Sequence, residues 1–180
     1  MGERIRSFDE FWPYYLNEHR DPTSRRLHFV GTTAWLTACA GSAVLNPLFV
    51  PAAAGMAVIG RRAAKREGER RSLRHVAAMV ALPTLASPIL FPAGVVAAYG
   101  CAWAGHFGYE KNRPATFQYP VWSLTSDLRM WSHMARGKLW SGTDPAAEVG
   151  AGEPAGAQGY AERVQQHPRG RTASMVADCT

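Results

Sequence analysis

The side chains with the most chemistry to offer in this sequence are its six histidines. His19 and His28 stand nine residues apart, which on one continuous helix would put them on opposite faces. Asp21-Pro22 lies between them and breaks such a helix, so a fold-back of the chain would bring the two rings together. His106 and Glu110 are spaced i, i+4 and share a helical face. Gly105, beside His106, lets a neighbouring helix come close. Imidazoles and a carboxylate with open positions between them suit non-haem Fe(II). The competing account of each histidine is a residue at the edge of an apolar segment, bonded to a backbone group. Neither spacing is a specific metal signature. His75 and His133 fit solvated basic surfaces, and His167 stands in a polar tail.

These residues need elements to position them. "SFDE", residues 7–10, has the form of a capping box, with Ser7 as N-cap and Glu10 three positions on. Phe8, Phe11, Trp12 and Tyr15 then fall on one face of a short helix that Pro13 is expected to kink. Aromatics beside charges suit a membrane interface; an amphipathic core helix is the alternative. Asp21 is the expected cap of the next helix, with Pro22 at its first position. An apolar stretch from Phe29 to Gly60 would be roughly 48 Å long as one helix, too long for a hydrocarbon core of about 30 Å. Asn46-Pro47 divides it into segments of about 29–45 and 47–60. A second apolar stretch, 75–108, divides at Phe91-Pro92, with Pro83 and Pro88 bending its first half. The result is four apolar helices, each shorter than the ~20 residues of a usual span. Buried helices of a water-soluble bundle would also be this short.

The cationic residues arbitrate between membrane and soluble readings. Of the twenty Lys and Arg, five lie in 1–28, seven in 61–74 and eight in 109–180. None lies at the turns near residues 46 and 91. With four spans, the three basic segments share one side, and the positive-inside rule makes that side cytoplasmic. The sequence thus predicts an all-α polytopic membrane protein with both termini in the cytoplasm and no signal peptide. Residues 120–140 form a second interfacial helix with a stripe of Val121, Leu124, Leu128, Trp131 and Ala135. Residues 1–140 make the membrane-embedded unit. Residues 141–180 lack large apolar side chains and form a disordered cytoplasmic tail. Loop 61–74 suits anionic lipid rather than nucleic acid, because no aromatics interleave it for base stacking. Three cysteines give no disulfide framework. Topology then gathers five histidines at one membrane face, where buried ionisable groups are costly and usually functional. A non-enzymatic scaffold or lipid-binding protein, its histidines merely capping helices, is the alternative class.

"YYLNEHRDPTSRRLHFVGT" and "WAGHFGYEKNRPATF" together resemble the Mpo-type family of small membrane proteins, whose fungal member is a 2-hydroxy fatty acid dioxygenase. The family pattern falls here on His19, Pro22 and His28, then on Gly105, His106, Glu110, Lys111, Arg113, Pro114 and Ala115. The resemblance spans about residues 8–140. It implies an Fe(II)-dependent oxygenase that uses O2 to shorten a 2-hydroxy fatty acid by one carbon. On that implication His19, His28 and His106 ligate the iron. Glu110 is a fourth ligand or orients an imidazole. Lys111 and Arg113 would attract the substrate carboxylate, although the ordinary basic flank of a span fits them slightly better.

Overall fold

The computed structural model describes residues 5–65 and 72–142. Ser7 caps the first helix, α1 (Phe8–Asn17), its Oγ accepting from the Glu10 N–H at 3.2 Å. The helix runs on through Pro13. Asp21 caps α2 (Pro22–Leu45) by accepting from the Thr23 and Ser24 N–H groups at 2.6 and 3.3 Å, with Pro22 opening the helix. Both caps agree with the sequence, and α2 starts seven residues before the apolar run it contains.

The first expected turn is also where the sequence puts it. Asn46 Oδ1 accepts from the Leu48 N–H at 3.1 Å, an Asx-type closure, and α3 (Phe49–Ala64) follows. The second turn differs. The break between α4 (Ser72–Ala86) and α5 (Leu90–Trp103) comes at 87–89 rather than at Phe91-Pro92. Pro88 is the residue that acts, because a proline disfavours helix at the residue before it. Pro92 falls in the first turn of α5, where its missing N–H would have had no helical partner.

α2 packs along α5 and α3 along α4. Two glycines set the closeness of the first pair. A Cβ on Gly31 would lie 2.9 Å from Cys101 Cβ, and one on Gly94 would lie 2.6 Å from Ala38 Cβ. The two turns meet at one end of the bundle, where Asn46 Nδ2 donates to the Ala86 carbonyl at 2.9 Å and the Ser42 and Ser87 hydroxyls bond at 2.7 Å. Around that junction Val44, Leu45, Leu48, Leu85 and Ile89 are each at least 70% exposed.

α6 (Pro120–Ala135) lies across the bundle away from these turns. It does not present a single apolar stripe to a bilayer. Trp122, Met130 and Met134 pack on Phe11, Trp12, Tyr15 and Leu16 of α1. Val121 and Leu124 pack on the other side, against Ala63 of α3 and Met79 of α4. Of the expected stripe, Ala135 is exposed. α1 and α6 bury apolar side chains against each other, and α6 also against α3 and α4, which is the core-helix alternative for α1. The described residues are all-α, with no strand, and none of their helices is long and apolar enough to cross a membrane. The tail expected at 141–180 falls outside the described residues from 143 on.

Candidate metal centre

The break at Asp21-Pro22 does what the spacing of His19 and His28 requires. His19 leaves the end of α1 in a short loop, α2 turns back, and His28 comes round in its second turn. His106 arrives from the opposite side of the chain. Beyond Trp103 the α5 helix widens into a π-helical turn, Ala104–Glu110, a form often found at functional sites. Gly105 lets that turn press against α2, since a Cβ there would meet Ser24 Oγ at 2.8 Å and Ser24 Cα at 3.3 Å. The three rings are buried. Their centroids lie 4.5 Å apart for His19–His28, 4.6 Å for His19–His106 and 5.3 Å for His28–His106. One nitrogen from each lies within 4.8 Å of the others.

Hydrogen bonds orient all three rings alike. The Nδ1 atoms donate to the Tyr15 carbonyl (2.6 Å), to Asp127 Oδ1 (2.8 Å) and to Asn112 Oδ1 (2.7 Å), for His19, His28 and His106 respectively. Each acceptor oxygen fixes the proton on Nδ1 and leaves Nε2 with a free lone pair. The Nε2 atoms of His19 and His28 are buried with no hydrogen-bond partner. Buried polar atoms are almost always paired, and adjacent lone pairs repel, so a cation between them resolves both costs. Burial, followed by the neighbouring His28 and His106, holds His19 well below the ordinary imidazole value. It is neutral at pH 7, the state a metal ligand needs. The donor set fits a borderline metal such as iron or zinc.

Asp127 ties this shell together. Besides His28 it accepts from the Tyr15 hydroxyl at 3.2 Å and from Thr32 Oγ1 at 2.6 Å. Burial, then the Asp127 charge, push the Tyr15 hydroxyl well above its ordinary value and keep its proton in place. Arg25, also buried, fixes the His19 loop: its Nε donates to the His19 carbonyl at 2.6 Å and its Nη1 to the Leu139 carbonyl at 3.0 Å. Replacing Arg25 by Met strands both carbonyls and removes charge-assisted bonds worth about 1.5–3 kcal/mol each. We expect several kcal/mol of lost stability, read by chemical denaturation, with the His19 loop the first region to lose hydrogen-exchange protection.

Of the residues proposed from sequence, His19, His28 and His106 converge. Glu110 stands apart from the trio: its Oε1 accepts from the Asp21 N–H at 2.8 Å and pins the π-turn to the start of α2. Lys111 and Arg113 are exposed; Lys111 Nζ points to the Phe107 carbonyl at 3.5 Å, and the Arg113 guanidinium stands 6.0 Å from the Phe117 ring centre. His75 and His133 lie outside the cluster, and His133 stacks on Trp12 instead. His167 falls outside the described residues. Asp127, Asn112 and Thr32 were not singled out from sequence, and Tyr15 only as part of the aromatic face of α1. Asn112 had a visible signal, since it stands in the "EKNRP" stretch that carries the family pattern. Asp127 had a weaker one, as the lone carboxylate of α6.

A cavity of about 550 Å3, counting its open mouth, reaches the centre. His28, His106, Tyr99, Ser123 and Asp127 are on its wall, so two of the three rings face this space. Ser123 Oγ is buried there without a protein partner. The tight approach at Gly105 supplies a test of how the centre is positioned. Gly105→Val must push the π-turn off Ser24, because backbone as well as hydroxyl stands in the way. Overpacking of this kind costs about 1–3 kcal/mol, and displacement of His106 should weaken metal binding at least tenfold by titration.

No curated protein and no solved structure matches the chain. The sequence model of one family does, over residues 5–139, the stretch that holds all three converging histidines. The chain belongs to this Mpo1-like family, described as 2-hydroxy-palmitic acid dioxygenase Mpo1-like.

Proposed function

We propose that the protein is an Fe(II)-dependent dioxygenase that removes one carbon from 2-hydroxy fatty acids. The observation that carries this reading is the trio of buried imidazoles, two of them with partnerless Nε2 atoms, beside an open cavity. The family description supplies the substrate class. The overall reaction balances as R–CHOH–COOH plus O2 giving R–COOH, CO2 and water. Bound by the three imidazoles, iron(II) would supply the one-electron chemistry that lets O2 react with a closed-shell hydroxy acid. The protein's own residues do the rest. Tyr15, Asp127 and Asn112 hold the imidazole rings in one tautomer. Ser123 Oγ, free of any protein partner, donates to the substrate's carboxylate or 2-hydroxyl. Glu110 holds the His106 turn against the His19 loop through the Asp21 N–H. The assay is anaerobic iron loading followed by 2-hydroxypalmitate and O2. The fatty acid one carbon shorter, seen by mass spectrometry, is the expected product; iron-loaded protein that leaves 2-hydroxypalmitate unchanged would overturn the substrate.

We further propose that the bundle sits in a lipid bilayer with its basic segments on the cytoplasmic side. Two features support this. The exposed side chains around the two turns are apolar, as expected of a lipid-facing end, and Lys and Arg avoid that end. In a variant whose native cysteines are replaced by serine, Lys65→Cys and Lys138→Cys should react with an impermeant maleimide from the same, cytoplasmic side. Leu48→Cys should stay unlabelled from that side. Opposite sides for Lys65 and Lys138 would overturn the arrangement.

A further inference from the structure

A second cavity, of about 660 Å3 with its open margin, lies between α2, α3, α4, α5 and α6. It adjoins the one at the metal centre, because Ala98, Tyr99, Pro120, Leu124 and Asp127 line both. Its character is different. Trp35, Met56, Met79, Phe91 and Val95 form its far wall. Its polar side chains, apart from Tyr99, are Thr32 and Asp127, and these bond to each other at 2.6 Å. Elsewhere its lining is apolar.

We infer that this apolar chamber binds the alkyl chain of the hydroxy acid, with the chain running from the histidine centre past Tyr99 and Leu124 toward Met79 and Phe91. The inference rests on the proposed activity for the identity of the ligand. Three observations carry the placement. A ligand with a polar head and an apolar tail needs polar groups at one end and apolar walls at the other, and the shared residues join the chamber that holds His28, His106 and Ser123 to the second one. An apolar cavity is not filled by water, which needs two or more polar partners. Met56 and Met79 lie at the far wall, and unbranched thioether side chains adapt to tails of different length.

The arrangement also assigns chain-length selection. Val95 and Met79 line the second chamber and not the first, so bulk added there shortens the space for the tail without touching the histidines.

The test is photolabelling with a 2-hydroxy fatty acid of palmitate length that carries a diazirine at its terminal carbon. It needs binding and not turnover. In the iron-loaded, detergent-solubilised full chain the label should fall on Met56, Val76 or Met79, and excess 2-hydroxypalmitate should suppress it. Val95→Trp should lower that labelling about tenfold, the scale of a discrimination worth one or two methylenes, while iron content stays at the wild-type level. Loss of iron in Val95→Trp would mean the variant had misfolded; Met79→Ala, which opens the chamber, then decides by shifting preference toward longer chains. Labelling that falls on Val44 to Leu48, or that 2-hydroxypalmitate does not displace, overturns the inference. So does a Met79→Ala chain-length profile equal to wild type. Competed labelling in the chamber without product would leave the chain site standing and sink the activity. Product with labelling elsewhere would do the reverse.

Discussion

Replacing His19, His28 or His106 by alanine is expected to abolish metal binding, each alone, while His75→Ala and His133→Ala leave it intact. The reason is the geometry of one cluster. Three nitrogens within 4.8 Å of one another make a site; two make at most a weak one, because no carboxylate of the described residues joins the cluster. A cobalt(II) titration followed by visible absorption reads the effect directly. Wild type and the two control variants should saturate alike, and the three site variants should lose at least 100-fold in affinity, beyond the 10–100-fold typical of losing only a residue that orients a ligand. All five variants behaving alike would favour the scaffold alternative. The three site variants should still fold. For His19 and His28, removing a buried imidazole with a partnerless Nε2 relieves a desolvation cost as well as deleting a hydrogen bond.

Asp127→Asn is expected to weaken metal binding about 10–100-fold without abolishing it. The carboxylate accepts from His28, Tyr15 and Thr32 together. An asparagine keeps the shape but turns one of its two acceptor ends into a donor and removes the charge that makes the imidazole more basic. Thr32→Val separates metal tuning from general stability. It deletes one bond to the same carboxylate and leaves the His28 contact alone, so it should change unfolding free energy by about 1 kcal/mol and metal affinity little. Equal affinities for Asp127→Asn and wild type would show that the carboxylate only fills a hydrogen-bonding site. Asp127→Ala should be worse than either, because it leaves the Tyr15 hydroxyl and the His28 Nδ1–H without their acceptor, at about 1–3 kcal/mol each.

Local chemistry was the most legible part of the sequence. Ser7 and Asp21 act as the caps their residue types and spacings indicate, and Asn46-Pro47 turns the chain. The convergence of His19 with His28 followed from one broken helix. The second turn was misplaced by about three residues because two prolines compete, and only packing decides that Pro92 lies inside a helix while Pro88 ends one. The aromatic face of α1 was ambiguous for a deeper reason: Phe11, Trp12 and Tyr15 suit lipid or a protein core equally, and their partners on α6 are more than a hundred residues away. Asp127 stayed hidden on the same ground. Periodicity shows which residues share a helix face, but the meeting of that carboxylate with His28 depends on how α6 crosses α2. The π-turn at Ala104–Glu110 gave no advance sign either. It redirects Glu110, expected beside His106, to the backbone of Asp21.

His19, His28 and His106 are proposed to form an iron centre. Elemental analysis of the detergent-solubilised protein, purified without oxygen, tests it most directly. Wild type should carry about one iron per chain, as expected of a three-imidazole site, and the His28→Ala variant purified in parallel should carry none. Wild-type protein free of iron, or iron that persists at the same level in the variant, would contradict it.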